Sequence, residues 1–290
     1  MLEKNKEDIS QKRSFSLSLY LLIVFGISWP FQIVSTIWAT DLLSSYALNA
    51  TSMIMVMVGT FIAGRYVFQD GFENAGWRWG KLKYYLAVVG LVLLLWVVPT
   101  LIDLALGTLS LPSVLTRTQI FWIFVFLFVS LIPGFGEEFG WRGYMLPRLA
   151  RQMSVNKSVL LHAIIWWAWH LPLLAVAGVR TGINSTEEMG MSVNLSVAVT
   201  VAIVVFVGAI PAILHGVVYA YIWSRSRSLA VATVYHATYD GVRDSLQITI
   251  GTSLIAGLWV NTILVILGIV FLWKGNWRNL QIETLTPENS

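Results

Sequence analysis

The chain has 290 residues, of which 57% are hydrophobic and 12% charged, and its mean hydropathy is +0.71. A soluble domain carries about 25% charged residues, so the composition excludes an ordinary water-soluble globular protein and points to an integral membrane protein. There is no cysteine, which excludes disulfides and thiolate metal sites and leaves His, Asp and Glu to hold any metal. The net charge of +4 comes without an arginine-rich segment outside the apolar runs, which argues against a nucleic-acid partner.

A bilayer-crossing helix needs about 20 apolar residues. Eight spans are predicted in chain order: Phe15 to Ile37, Ala47 to Val67, Tyr84 to Leu106, Ile120 to Ile132, Val159 to Ala177, Val197 to Trp223, Leu229 to Asp240, and Ile248 to Trp273. The fourth and seventh are short, and both run into polar motifs. The first follows a basic leader, as a signal peptide would, but no small-x-small cleavage pattern follows it, so it is read as a retained helix. The expected fold class is all-α and polytopic. Residues 1–14 form a leader, 15–273 a single transmembrane domain with its motif-bearing core at 133–240, and 274–290 a tail.

Orientation follows from Lys and Arg in the connections. Lys4, Lys6, Lys12 and Arg13; Arg65, Arg78, Lys81 and Lys83; Arg148, Arg151 and Lys157; Arg225 and Arg227; and Lys274 and Arg278 all fall on one side of an eight-span arrangement. The other side holds only Arg117, Arg180 and Arg243. Both termini are therefore expected in the cytoplasm.

Three polar constellations interrupt the apolar chain. Ionisable groups cost roughly 2.5 to 3.5 kcal/mol each at the centre of an inserted helix, so they are kept when paired or functional. In the first, Glu137-Glu138-Phe139-Gly140-Trp141-Arg142, Pro133 and nearby glycines are expected to end the fourth span. The acidic pair then opens a new helix, where carboxylates suit the positive end of the dipole. Glu138 and Arg142 are four apart and share a face, whereas Glu137 points about 100° away and is free to meet another helix. The other acidic pair, Glu187-Glu188, has no such arginine and is expected to be solvated in a loop.

In the fifth span, Trp166 lies one turn before His170, so the ring can wall off and orient the imidazole. His162, two turns earlier, is expected to be interfacial or structural. In the seventh span, His236 and Asp240 share a face at the spacing of two metal ligands or of an imidazole with an orienting carboxylate. His215, between Pro211 and Gly216, is expected to line a cavity without acting in it.

Taken in this order, the motifs resemble the CAAX protease and bacteriocin-processing (CPBP, Abi) family of intramembrane proteases, which includes the Ras-converting prenyl protease. The family pattern of Glu-Glu-x-x-x-Arg, Phe-x-x-x-His and His-x-x-x-Asn is met by Glu137, Glu138 and Arg142, by His170, and by His236. Trp166 stands where the pattern has phenylalanine, and Asp240 where it has asparagine. An asparagine amide can donate to an oxyanion, but an ionised aspartate can only accept. The resemblance covers roughly Pro133 to Asp240.

What it implies is an intramembrane endopeptidase of a bacterial plasma membrane, acting on a membrane-associated substrate such as a prenylated CAAX tail, a bacteriocin leader or a signalling propeptide. Glu137 would activate water with His170, and His236 and Asp240 would complete the oxyanion side. Glu138, Arg142 and Trp166 would position these groups. In a zinc version, Glu137, His170, His236 and Asp240 are ligands to a metal-bound water, and Asp240 tilts the expectation that way. His236 and His170 lie roughly 12 and 18 Å into their spans at 1.5 Å per residue. With a tilted fifth helix, this places the site in a cavity in the cytoplasmic half of the bilayer, open to water from that side. The competing readings are a non-catalytic peptide-binding immunity protein and a secondary transporter; the latter predicts an internal repeat, and none is visible.

Overall fold

The computed structural model describes residues 14–186, 190, 192–253, 255–277 and 280, which form helices and connecting turns without a strand. Lys4, Lys6, Lys12, Arg13, Arg278 and the pair Glu187-Glu188 lie outside the described residues. The helices are α1 (Leu17–Trp38), α2 (Leu42–Val67), α3 (Leu82–Ala105), α4 (Arg117–Gln152), α5 (Val155–Trp169), α6 (Leu171–Asn184), α7 (Val193–Ser226), α8 (Leu229–Thr249) and α9 (Ala256–Lys274).

Each of the eight predicted runs coincides with a helix or with the α5–α6 pair, but the count of spans that qualify by length and apolarity is lower. Six helices do so, or seven if the bent pair α5–α6 is one span. α8 is long enough at 21 residues, yet His236, Asp240, Arg243 and Asp244 make it too polar. It packs between α3 and α4 and turns its polar face inward. Elsewhere the outward surface is oily: Leu22, Leu86, Phe124, Phe206, Leu258 and Trp273 are all exposed. A surface of this kind is satisfied only by lipid, and the chain is an integral, multi-pass membrane protein.

The expected break before the acidic pair is absent. α4 runs from Arg117 to Gln152 with only a turn at Ser130. Pro133 sits in the first helical turn after it, where a missing N–H breaks nothing. Glu137 and Glu138 are therefore mid-helix groups and gain nothing from a terminal dipole, whose effect fades within one turn. A π-helical segment, Phe139–Met145, follows them directly. Such segments widen a helix, re-aim its side chains and are frequent at functional sites.

Gly136 and Gly140, one helical turn apart, let α4 lie directly on α2, as small residues do between membrane helices. A methyl group at Gly136 would lie 2.8 Å from the Met53 carbonyl oxygen, and one at Gly140 would lie 2.5 Å from Val56 Cγ1. The Tyr20 hydroxyl also reaches across to donate to the Gly140 carbonyl at 3.0 Å. Gly136→Ala is expected to force the backbones apart and to destabilise the protein by about 1 to 3 kcal/mol, the cost of overpacking. An unfolding titration in mixed micelles would read this as an earlier midpoint, and an unchanged midpoint would contradict the packing described.

One end of the bundle is sealed. From Gly136 to Ala150 every residue of α4 is buried, and the α2–α3 connection is bound across this end. Arg148 donates to Asp70 Oδ2 at 2.6 Å and to the Gly71 carbonyl at 2.8 Å. Leu229 N–H donates to the Gly76 carbonyl at 2.9 Å, and Ser228 Oγ to that of Arg78 at 2.6 Å.

Candidate active site

α4 and α8 lie side by side, and a charged cluster joins them. Glu138 Oε1 accepts from Arg142 Nη1 at 2.9 Å and from His236 Nδ1 at 2.8 Å. Arg142 is wholly buried, and its guanidinium sits 4.8 Å from the centre of the Trp166 ring and 4.3 Å from that of Tyr219. A buried cation is tolerable when paired and stacked on π faces, and three helices supply those partners. Glu138 is thus more than the partner of Arg142: the same oxygen fixes the His236 ring.

Glu137 points to α5 instead. Trp166 Nε1 donates to Glu137 Oε2 at 2.9 Å. Trp166 was expected to be an aromatic wall for His170, and it does face that ring edge-on with centroids 4.8 Å apart. Its indole N–H adds what a phenylalanine at this position could not, a hydrogen bond to the carboxylate.

The fifth span is not a straight helix through His170. α5 ends at Trp169, and α6 departs at 51°, because Pro172 has no N–H to continue the ladder. His170 stands at the corner, where its Nδ1 donates to the Trp166 carbonyl at 2.8 Å. A carbonyl can only accept, so the proton is on Nδ1 and the Nε2 lone pair is left open. The carbonyl of Trp169, freed by the break, is taken by Trp29 Nε1 at 2.9 Å.

Asp240 lies 3.4 Å from His236 Nε2 through Oδ2, and its Oδ1 is 2.8 Å from Arg243 Nη1. Arg243 Nε in turn donates to Asp244 at 2.7 Å. The sequence reading put Arg243 in an outer connection, but α8 continues past it to Thr249. Its i, i+3 spacing from Asp240 was the available signal. With a guanidinium at this distance, Asp240 stands as an acceptor-only carboxylate.

A cavity of about 770 Å³ gathers these groups; Glu137, Trp166, His170, His215, His236 and Asp240 all line it. Glu138 and Arg142 stand behind the wall. His215 donates to or accepts from the Tyr235 hydroxyl at 2.9 Å. His162 is neither interfacial nor in the cavity: it is fully buried, and neither ring nitrogen has a protein partner among the described residues.

The opening differs from expectation. Above the motif residues the cavity is lined by Leu42, Ser45, Asp244, Gln247 and Ile248, which belong to the start of α2 and the last turns of α8. Leu42 and Gln247 are exposed. The cavity therefore runs away from the sealed end, whereas the sequence reading had it open on the side of the basic connections. Depth along two helices could not reveal which end the α2–α3 connection closes.

The expected metal set does not fit this arrangement. His236 Nδ1 is taken by Glu138, and one oxygen of Glu137 accepts from Trp166. Among the described residues no three His, Asp or Glu side chains are grouped to hold a metal ion.

Residues 118–242 match the family model described as "Type II CAAX prenyl endopeptidase Rce1-like". A search of curated proteins finds similarity to "CAAX prenyl protease 2" of Methanococcus maripaludis, 26% identical over 130 residues, which is 44% of this chain and 43% of that protein. The chain thus spans less than half the length of the curated relative it matches. The matched segment runs from the start of α4 to just beyond Asp240, and so contains every residue of the charged cluster described above except Arg243 and Asp244. Over residues 118–242 this chain is therefore similar to the Rce1-like type II CAAX prenyl endopeptidase family.

Proposed function

We propose that the chain is an intramembrane endopeptidase that hydrolyses a peptide bond of a membrane-associated substrate, with Glu137 as general base. The observation that carries this reading is a buried carboxylate held through one oxygen by an indole N–H, in the wall of a cavity that three histidines also line. The family match and the name of the Methanococcus relative point the same way.

In the proposed reaction, water attacks the scissile carbonyl carbon while Glu137 takes one of its protons. The new C–O bond converts the carbonyl oxygen into an oxyanion. His236, held through Nδ1 by Glu138, presents Nε2–H to that oxyanion. The Nε2 lone pair of His170 helps to orient the water. Collapse breaks the C–N bond, and the proton held by Glu137 passes to the leaving amine, which restores the carboxylate. No metal takes part in these steps. Cleavage that survives chelation, in purified protein without stoichiometric zinc, is the expected result; activity lost on chelation and restored by zinc would favour a metal-bound water instead.

Prenylated CAAX tails, bacteriocin leaders and signalling propeptides are the substrate classes to test, by comparing peptides from membranes containing the active protein with those containing Glu137→Gln. An immunity protein or transporter would show no peptide difference. Trp166→Phe keeps the ring and removes the donor to Glu137. Because hydrogen bonds to charged groups contribute about 1.5 to 3 kcal/mol, kcat is expected to fall roughly 10- to 100-fold. A kcat within a few-fold of the parent's would mean that the indole N–H does not hold the base in place.

A further inference from the structure

The two ends of the helix bundle differ in charge, in closure and in access to the cavity. At one end lie Arg65, Arg78, Lys81, Arg148, Lys157 and Arg225, and here the α2–α3 connection is hydrogen-bonded across the bundle through Asp70, Gly71, Gly76 and Arg78. Beneath the motif residues this end is filled by the buried rings of Trp141, Tyr144 and Trp223. At the other end the cavity opens beside exposed Leu42 and Gln247. The cations on that side are few: Arg117 is exposed at the start of α4, Arg243 is paired with Asp240 and Asp244, and Arg180 donates to the Thr36 carbonyl.

Lys and Arg near span ends are retained on the cytoplasmic side of a bilayer. The sealed, basic end is then cytoplasmic, and the cavity faces the opposite side of the membrane. We propose that the site is entered from the non-cytoplasmic face and that its substrate is a translocated peptide segment held at the outer leaflet, rather than a tail displayed in the cytoplasm. The mouth suits such a segment: Leu42, Tyr46 and Ile248 offer apolar contact, and Asp244 and Gln247 offer polar partners. The substrate class rests on the endopeptidase reading, whereas the direction of opening does not depend on it.

The absence of cysteine makes the test direct. Single cysteines would be introduced at Gln247 and Ser113 on the cavity side, and at Asn156 and Lys157 at the start of α5 on the sealed end; all four positions are exposed. The full-length variants would be treated in intact cells with a membrane-impermeant maleimide, and again after permeabilisation. The expected result is that Gln247→Cys and Ser113→Cys are modified in intact cells, and that Asn156→Cys and Lys157→Cys are modified only after permeabilisation. The reverse pattern, or equal labelling of both ends in intact cells, would overturn the orientation. Labelling at Ser113→Cys with none at Gln247→Cys, even after permeabilisation, would overturn the open mouth. These readouts need no turnover, so failure of the peptidase reading, seen as unchanged cleavage in Glu137→Gln, stays separate.

Discussion

Glu137→Gln is expected to reduce kcat/KM by about 10²- to 10⁴-fold, the range that a positioned general base contributes, while leaving the unfolding midpoint in mixed micelles near that of the parent. The substitution is nearly isosteric, and the amide oxygen can still accept from Trp166 Nε1, which now donates to Glu137 Oε2 at 2.9 Å. What is lost is the capacity to take a proton from water. Activity retained within a few-fold would remove Glu137 from the role of base, and a large fall in stability would mean that the carboxylate is structural. Single-turnover cleavage of a peptide identified in the membrane comparison measures the first quantity, and the mixed-micelle titration measures the second.

Arg142→Ala should show the opposite balance, with stability and activity falling together. The side chain is fully buried, pairs with Glu138 at 2.9 Å and is stacked between the rings of Trp166 and Tyr219. Removing one partner of a buried pair leaves the other charge uncompensated and costs about 3 to 5 kcal/mol. His236 still donates to Glu138, so the lower part of that range is expected. With Arg142 gone, Trp166 also loses the contact on its face, and the indole that holds Glu137 is freer to move. Arg142→Lys keeps the charge but lacks the planar group that stacks on the rings, and should fall between the parent and the alanine variant. A midpoint for Arg142→Ala equal to the parent's would show that the cluster adds nothing to the fold.

Much of the site could be read before any fold was known, because helical periodicity assigns neighbours over one turn. Glu138 with Arg142, Trp166 with His170, and His236 with Asp240 are all i, i+4 pairs, and in the structure the members of each pair do lie against one another. Contacts between helices were beyond that reasoning. Nothing in the spacing of Trp166 indicates that its N–H meets Glu137, 29 residues away, or that Glu138 is shared with His236, 98 residues away. The helix break also failed as a local inference. Proline and glycine before the acidic pair looked like a terminus, but α4 passes through them because Pro133 falls in a first turn and the glycines are used for contact with α2.

By itself, the sequence determined the membrane solvent, the all-helical class, the approximate places of the apolar helices and the three polar motifs. Each of these depends on composition or on spacing within one segment, and lipid admits few alternatives for a long apolar run. Only the tertiary structure decided which oxygen meets which nitrogen, that His162 is enclosed while His215 lines the cavity, that Asp240 is matched by Arg243, and at which end the cavity opens. Those outcomes follow from how α4, α5, α7 and α8 approach one another and from the α2–α3 connection folding across one end. Such approaches are set by packing between segments far apart in the chain, and no local pattern encodes them.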